Sequence, residues 1–235
     1  MGVLYVLIAF AIAAIVGVVI YFGYLAEKKR REELTALAAQ LGWRFDPAKD
    51  KSHDDEYAHF EIFRRGHSRC AYNTLTGEVT IDERNYPAKM GDFVYKITTS
   101  TGKSTQTHTY RFSYLILHLP FANVPDLLIR REGMFDKLAG AFGFDDIDFE
   151  SAEFSKRFHV KSPDKKFAYD VIHPRMMEFF LADDSPTVDI ELGRCCLSDG
   201  RQRWSPQEFN ATLSWVADFL DHWPDHVKAS LEAQT

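Results

Sequence analysis

The chain has 235 residues, of which 46% are hydrophobic and 26% are charged, and it contains no tract rich in proline, glycine or serine. This composition is typical of a folded globular protein and argues against extended disorder. The formal net charge is −6 and no charged residue precedes Glu27, so the rest of the chain is acidic, which argues against a general nucleic-acid binder.

Residues 3–25 form an apolar run without a charged side chain. At 1.5 Å per residue such a helix is about 34 Å long, enough to cross a hydrocarbon core of about 30 Å. A cleaved export signal is the alternative, but it requires positive charge before a shorter apolar core and small residues at a cleavage site. Only Met1 and Gly2 precede this run. We therefore predict a membrane-spanning helix over residues 1–25, in contact with membrane lipid.

A basic cluster follows the span directly and is expected at the membrane interface. Its members are Lys28, Lys29, Arg30 and Arg31. Lys and Arg beside a span are retained in the cytoplasm, which predicts an outside N-terminus and a cytoplasmic C-terminal domain. The three cysteines, Cys70, Cys195 and Cys196, lack the spacing of a disulfide framework, as expected for reduced thiols. A redox-sensing disulfide between the adjacent pair is an alternative to ordinary packing in a strand.

Ala9, Ala13 and Gly17 recur at every fourth residue within the span. Such a ridge of small residues lets a second helix approach closely, so it is a candidate surface for homo-oligomers. Small residues are also common in spans generally. Self-association through this ridge is therefore one hypothesis of two.

Residues 26–42 are predicted to form a juxtamembrane amphipathic stalk helix. Leu34, Leu37, Ala38 and Leu41 share one face, and Gly42 is well placed to end the helix in the left-handed conformation. The apolar stripe could pair with another copy of the chain or dock on the domain that follows. Docking is the simpler interpretation.

Residues 57–119 are predicted to form a meander of antiparallel strands, because β-branched and aromatic residues recur between Gly, Asn and Pro breaks. The predicted strands are HFEIFRRG, HSRCAYNTLTG, EVTIDERNY, FVYKITTSTGK and STQTHTYRFSYLILHLP. In the last of these, Tyr110, Phe112 and Tyr114 alternate with Arg111 and Ser113. One face of this sheet is therefore expected to be buried and the other exposed.

Strands and short helices alternate in the region that follows. Strands are predicted at DLLIRREG and FSKRFHV and a hairpin at TVDIELG and RCCLSDG, with helices at MFDKLAGAFG, at 163–172 after an N-cap at Ser162, and at 175–181 after Pro174. In DDIDFES, the carboxylates of Asp145, Asp146, Asp148 and Glu150 could be paired for acid–base chemistry. The alternation of Asp146, Asp148 and Glu150 favours an exposed strand face instead.

The last helix has the clearest local signature in the chain. Ser205 is the predicted N-cap, with Pro206 at the first helical position and Glu208 completing a capping box, and Trp204 and Phe209 are placed to form a hydrophobic staple. Pro224 should prevent the helix from continuing. No linker divides residues 43–225 decisively, so we predict one α+β domain over residues 43–235, mainly antiparallel β with short helices and a C-terminal helix.

Sequence motifs for catalysis are weak. STGKST at 100–105 ends like a phosphate-binding loop, but Ile97 replaces the required upstream glycine and a hairpin turn is favoured. HDDEYAH at 53–59 is the densest set of possible metal ligands, yet it lacks a zinc spacing and is interpreted as a solvated acidic loop. No serine-nucleophile motif is present. We predict no metal, cofactor or catalytic residue.

A basic patch is the best candidate for a binding surface. Arg64, Arg65, His67 and Arg69 surround a predicted turn at Gly66 and could bind a phosphate or an acidic partner. Lys103 would join it if two hairpin ends lie close together, and His108 is a further candidate binding residue. A solvated turn is the simpler alternative.

The order of motifs along the chain resembles a family of uncharacterised bacterial, actinobacterial-type membrane proteins with a single N-terminal span. The residues that carry this resemblance are Arg69 and Asn73, Gly102–Lys103 with Thr107 and His108, 146–151, and 174–177. The resemblance implies a single-pass protein of the inner membrane with a soluble domain. It implies no activity, and EVTIDERNYPAKMGD departs from the shorter connection expected in the family.

Three functions remain open from the sequence. The favoured one is a non-enzymatic interaction or scaffold module that binds a protein partner. The second is a membrane-tethered hydrolase or metal-dependent enzyme that uses His108 with nearby carboxylates, since catalytic groups converge from distant positions. The third is a lipid-sensing domain similar to pleckstrin-like folds, which share the outline of antiparallel strands followed by a helix.

Overall fold

The computed structural model describes residues 2–102, 104–121, 123–132, 146–182 and 185–233. Its helices are α1 (Gly2–Leu41), α2 (His53–Glu56), α3 (Glu61–Arg64), α4 (Ala152–Arg157), α5 (Lys165–Val171), α6 (Pro174–Ala182), α7 (Pro206–Asp221) and α8 (Asp225–Glu232). Its strands are β1 (Arg44–Asp46), β2 (His67–Ile81), β3 (Arg84–Ser100), β4 (Thr105–His118), β5 (Leu127–Arg131), β6 (Phe158–Lys161), β7 (Val188–Glu191) and β8 (Arg194–Leu197).

A single helix, α1, contains both the predicted span and the predicted stalk, with no break between them. It is long and apolar enough to cross a bilayer, and the domain covers none of its apolar stretch. Further along α1, Leu34, Leu37 and Ala38 are buried in the core, so the stalk docks on its own domain. The helix ends at Gly42, whose φ of +69° is the left-handed conformation predicted there.

The described strands form one antiparallel sheet in the order β1-β2-β3-β4-β8-β7-β5-β6. Its two faces carry separate cores, because side chains alternate along each strand. In β4, Leu115 and Leu117 belong to a large core that also contains residues of α1 and α4–α8. Phe112, Tyr114 and Ile116 belong to a smaller, aromatic core on the opposite face, which α2 and α3 cover. The α+β fold class is as predicted.

Two stretches in the first half differ from the prediction. HFEIFRRG was predicted to be a strand, but it contains α3, whose Ile62 and Phe63 are buried side by side against the aromatic core. EVTIDERNY was predicted to be one strand, but it contains the β2–β3 turn at Asp82 and Glu83, where both residues have positive φ. Consequently β2 and β3 are much longer than the predicted strands.

Smaller differences occur in the second half. FSKRFHV was predicted to be a strand, but only its end is β6 and its beginning is α4. Asp164 caps α5 in place of Ser162, because its carboxylate accepts a hydrogen bond from Phe167 N at 3.0 Å. The alternation in DDIDFES is confirmed as exposed acids and buried Ile147 and Phe149, but outside any strand. The predicted helix MFDKLAGAFG lies outside the described residues.

The C-terminal helix is confirmed in detail. The Ser205 side chain accepts a hydrogen bond from Glu208 N, and Glu208 accepts one from Ser205 N, which completes the capping box. The rings of Trp204 and Phe209 pack at 5.3 Å as a hydrophobic staple. Pro224 separates α7 from α8, a helix that was not predicted.

Candidate functional site at the junction of span and domain

The Arg30 side chain projects from α1 into the domain, where it pairs with a carboxylate in β3. Its Nε lies 2.6 Å from Asp92 Oδ2 and its Nη2 lies 2.5 Å from Asp92 Oδ1. The Arg30 side chain is 11% exposed and the Asp92 side chain is 0% exposed. Because both pairs of atoms are engaged, this ion pair fixes the rotation of α1 as well as its position.

Polar side chains surround this ion pair and satisfy the buried carboxylate. Asn73 Nδ2 donates to Asp92 Oδ2 at 3.1 Å and Ser113 Oγ donates to Asp92 Oδ1 at 2.8 Å. Arg30 Nη1 donates to Trp204 O at 3.0 Å, and Trp204 N donates to Ser113 Oγ at 2.9 Å. The network therefore connects α1, β2, β3, β4 and the start of α7.

Asn73 adopts a conformation that few residue types accept. Its φ is +51°, at a shift of register in β2 between Tyr72 and Leu75. Asn tolerates this left-handed region better than most residues, and its amide can still reach the Asp92 carboxylate. This gives a physical role to one of the residues that carry the family resemblance.

A second ion pair lies closer to the bilayer end of α1. Arg203 Nη1 lies 2.6 Å from Glu27 Oε1. Glu27 follows the last apolar residue of the predicted span, Leu25, by only two positions, or about 3 Å along a helix. The domain is thus attached to α1 almost at the point where the apolar segment ends.

The basic cluster after the span is divided by these contacts. Arg30 faces the domain, whereas Lys28, Lys29 and Arg31 are exposed. Lys28 and Lys29 pair with glutamates one turn further along α1, at 3.9 Å and 3.6 Å. Three basic side chains therefore remain on the surface at the predicted membrane interface.

The predicted patch around Gly66 lies between α3 and β2 instead of at a hairpin turn. Arg65 pairs with Glu61 at 2.9 Å, and Arg69 pairs with Asp54 at 2.6 Å. Arg69 also donates to Gly66 O at 2.9 Å, while Arg64 is exposed. Most of the positive charge in this patch is therefore neutralised locally.

Two observations explain why residue 66 is a glycine. Its φ is +58°, and a Cβ atom there would lie 2.1 Å from Lys96 O. His67, the next residue, contacts the neighbouring strand through Nε2, which lies 2.9 Å from Thr98 Oγ1. Glycine at position 66 therefore lets the backbone between α3 and β2 approach the backbone of β3 closely.

Two predicted binding residues remain, Lys103 and His108. Lys103 lies outside the described residues. His108 is exposed on β4, directly opposite Ile97 of β3. The chain from 93 to 125 contains no Asp or Glu, so this hairpin itself supplies no carboxylate for acid–base chemistry at His108.

His53 corrects the interpretation of HDDEYAH as a solvated loop. Its ring is fully buried, with ring centroids of Tyr57, Phe63 and Tyr114 each 4.7 Å away. Burial, with a smaller contribution from Lys89, lowers the pKa of His53 to about 3, so it is neutral inside the domain. The spacing of Tyr57, Phe60 and Phe63 was the sequence signal for this aromatic core.

A second buried polar group, not predicted from the sequence, lies on β7. Asp189 and Glu191 are two positions apart and therefore point to the same face of the sheet. Burial and their mutual repulsion raise the pKa of Asp189 well above its usual range. Burial, followed by the charge of Asp126, raises the pKa of Glu191 to about 7.

The cysteines are free thiols, and all three are buried. Cys195 and Cys196 point to opposite faces of β8, one into each core, so they do not form the vicinal disulfide considered as an alternative. Within the described ranges, no group of three or more His, Cys, Asp or Glu side chains is arranged to hold a metal ion. The polar network around Arg30 and Asp92 connects the predicted membrane helix to the sheet and is the candidate functional site.

Comparison with known proteins identifies a shared fold. No protein-family model and no curated protein matches the chain. The crystal structure of the mycobacterial trehalose monomycolate transport factor A, TtfA, is similar with a TM-score of 0.53 and 12% sequence identity. The similarity covers 83% of this chain and 96% of that one. At this identity the likeness establishes the fold alone. TtfA comes from the actinobacterial group to which the sequence resemblance pointed.

Proposed function

We propose that this chain is a membrane-anchored interaction module. In this proposal α1 anchors the protein in the inner membrane with its N-terminus outside, and the cytoplasmic α+β domain binds a protein partner in or at the same membrane. The apolar, uncovered first part of α1 supports anchoring. The basic residues that follow it support a cytoplasmic domain.

The attachment of the domain to α1 carries the proposal. The ion pairs Arg30–Asp92 and Glu27–Arg203 hold the domain against the helix within a few residues of the apolar segment. A flexible linker would let the domain rotate freely, whereas this attachment presents one surface at a fixed height above the bilayer. Such preorganisation lowers the entropic cost of binding a partner that lies in the membrane plane.

The structural neighbour suggests which partners to test first. TtfA is described as a transport factor for trehalose monomycolate. A protein that shares its fold is reasonably tested first against membrane transport proteins. We therefore propose an accessory role beside a membrane transport system, with binding as the function of the domain.

Crosslinking in native membranes tests this proposal. The full-length chain would carry a C-terminal tag, and an unrelated single-span protein would serve as the control. We expect recovery of one membrane protein in stoichiometric amount. No enrichment over the control would contradict the proposal.

A matched variant tests the importance of the attachment. Arg30→Met with Asp92→Leu removes both charges together, so the span and the hydrophobic core are retained. We expect less crosslinked partner because α1 loses its fixed rotation against β3. Unchanged recovery from a folded double variant would show that partner binding does not depend on this attachment.

The orientation is tested separately with reporters fused to the C-terminus. A reporter that is active only in the cytoplasm should give signal, and one that is active only outside should not. The opposite pattern would contradict a cytoplasmic domain. It would also invalidate the choice of cytoplasmic-side partners.

A further inference from the structure

The β3–β4 hairpin extends beyond both cores of the domain. Every described residue from Lys96 to Arg111 is exposed, whereas Phe93 and Phe112 at its base are fully buried. Strand pairing nevertheless continues to Ser100 and Thr105 at the tip. The hairpin is therefore an ordered two-stranded arm that reaches about 17 Å past the core.

Two contacts show in which direction this arm points. Arg30 of α1 meets Asp92 of β3, and Trp43, at the other end of the stalk, lies against Gly77 and donates its indole N–H to Glu78 O at 3.1 Å. In β3 the residues paired with 77 and 78 are those at 88 and 87.

Moving along α1 towards the apolar segment therefore corresponds to moving along β3 towards higher residue numbers. The tip of the hairpin lies in that direction, beyond Asp92. The arm and the apolar part of α1 consequently leave the same side of the domain.

The arm does not cover the helix beside it. Residues 4–24 of α1 are exposed along their whole length, and so is the arm on both of its faces. The two elements therefore separate beyond the Arg30 contact. The arm therefore projects from the side of the domain that would face the adjoining leaflet when α1 enters a bilayer.

The arm differs in charge from the rest of the protein. Among its described residues, Lys96 and Arg111 are basic, and residues 93–125 contain no Asp or Glu, although the whole chain has a net charge of −6. Most of the other arm residues are Ser or Thr, which can hydrogen-bond to phosphate oxygens. This composition is complementary to an anionic lipid surface.

The arm also carries two partly apolar side chains near its base. Ile97 is 38% exposed and Tyr110 is 40% exposed, and the Tyr110 ring stacks on Tyr95 at 5.0 Å. Tyr side chains are enriched at membrane interfaces, where the ring is buried and the hydroxyl group stays hydrated. An interfacial position therefore accounts for both the basic and the aromatic residues of the arm.

We propose that the β3–β4 hairpin binds the anionic lipid headgroups of the leaflet from which the domain-attached end of α1 emerges. This binding is distinct from the protein–protein interaction proposed above, and it depends only on α1 entering a bilayer. The arm gives the domain a second contact with the membrane, which supplements the attachment through Glu27 and Arg30.

Labelling at the two ends of β3 tests the proposal in the full-length chain. All three native cysteines are buried, so a single introduced cysteine can be labelled selectively. Gln106→Cys places a fluorophore near the tip of the arm. Glu83→Cys places one in the β2–β3 turn, at the opposite end of β3. The proteins would be reconstituted in nanodiscs of phosphatidylcholine and phosphatidylglycerol that contain a lipid with a headgroup spin-label quencher.

We expect quenching of the label at position 106 and none at position 83. Equal quenching at both sites, or stronger quenching at 83, would overturn the proposal because it would place the arm away from the bilayer. Quenching at 106 that is equally strong in phosphatidylcholine alone would overturn the recognition of anionic lipid.

A charge variant separates lipid attraction from mere proximity. Lys96→Gln with Arg111→Gln removes the two described basic residues of the arm, and Lys165→Gln with Arg175→Gln removes two exposed basic residues elsewhere on the domain. The arm variant should reduce quenching at 106 about twofold or more, and the control variant should leave it unchanged. Equal effects of the two variants would contradict a specific role for the arm.

A protein partner at the arm is the alternative outcome. If the label at 106 is not quenched in nanodiscs but a protein crosslinked to the arm is recovered from cells, the arm is a protein contact and the lipid proposal is wrong.

Discussion

Arg30 of α1 and Asp92 of β3 form a buried, bidentate ion pair although they are 62 residues apart in the chain. The side chains of Asn73 and Ser113 complete the hydrogen bonds of the carboxylate. A carboxylate without water requires such partners, because desolvation of an unpaired charge is costly. The pair therefore connects the membrane-proximal helix to the middle of the sheet.

Replacement of Arg30 by Ala should destabilise the domain strongly. Asp92 would remain buried without its counter-charge, which costs about 3–5 kcal/mol in comparable pairs. Thermal unfolding in detergent micelles, followed by tryptophan fluorescence, would measure the loss. Lys29→Ala, at the neighbouring exposed position, is the control and should have little effect.

The double variant Arg30→Met with Asp92→Leu should recover most of that stability, because no unpaired charge remains. A double variant as unstable as Arg30→Ala would show that shape, and not charge, dominates at this contact. An Arg30→Ala protein as stable as the control would contradict the importance of the pair.

His53 should make the domain less stable in acid. Its folded-state pKa is lowered to about 3 from a usual value of 6.5, so the unfolded chain takes up a proton that the folded domain does not. Stability from this group is complete above pH 6.5 and is lost as the pH falls towards 3, with a limiting slope of about 1.4 kcal/mol per pH unit. His53→Phe should have a flatter dependence, measured by urea unfolding at several pH values. Parallel pH curves for the two proteins would contradict this prediction.

Glu191 should act in the opposite direction. Its folded-state pKa is raised to about 7 from a usual value of 4.5, so the folded domain holds a proton that the unfolded chain releases. The stability it contributes is present below pH 4.5 and is lost as the pH rises towards 7. Glu191→Gln keeps the shape without the titration. The free energy of unfolding of this variant, relative to that of the unsubstituted protein, should therefore be higher at pH 7 than at pH 4.5. The same unfolding series, with Glu178→Gln as an exposed control, would measure it.

Gly77→Ala should disturb the contact between the end of the stalk and the sheet. A Cβ atom at residue 77 would lie 2.3 Å from the Trp43 ring, so the indole must move and its hydrogen bond to Glu78 O would be lost. We expect a destabilisation of about 1–3 kcal/mol. A changed emission spectrum of Trp43 should accompany it. Thr76→Ala, at the exposed preceding position, is the control, and equal effects from the two substitutions would contradict the steric explanation.

Local signals were sufficient for part of this fold. The capping box at Ser205 was readable because all of its hydrogen bonds join residues close in sequence. The left-handed glycine at Gly42 was readable for the same reason. The stripe of Leu34 and Leu37 predicted a buried face, and the simplest partner for it was correct.

Long-range partners explain most of what the sequence did not reveal. Gly77 was taken as a break between strands, whereas it is the point where β2 lets the Trp43 ring approach. Phe60 and Ile62 alternate as they would in a strand, and only the packing of Phe63 against Phe93 of β3 and Phe112 of β4 decides for the helix α3. The site at Asp92 had one overlooked signal, a single carboxylate inside an otherwise apolar strand segment.

Because α1 is unbroken from residue 2 to residue 41 and is attached to the sheet through Arg30, its two halves and the sheet move together as one rigid unit. A turn of its apolar half about the helix axis must swing the attached sheet through the same angle. A tilt of that half must likewise raise one side of the domain and lower the other. Motion within the lipid is thereby converted into motion of the whole folded body, with no hinge to absorb it.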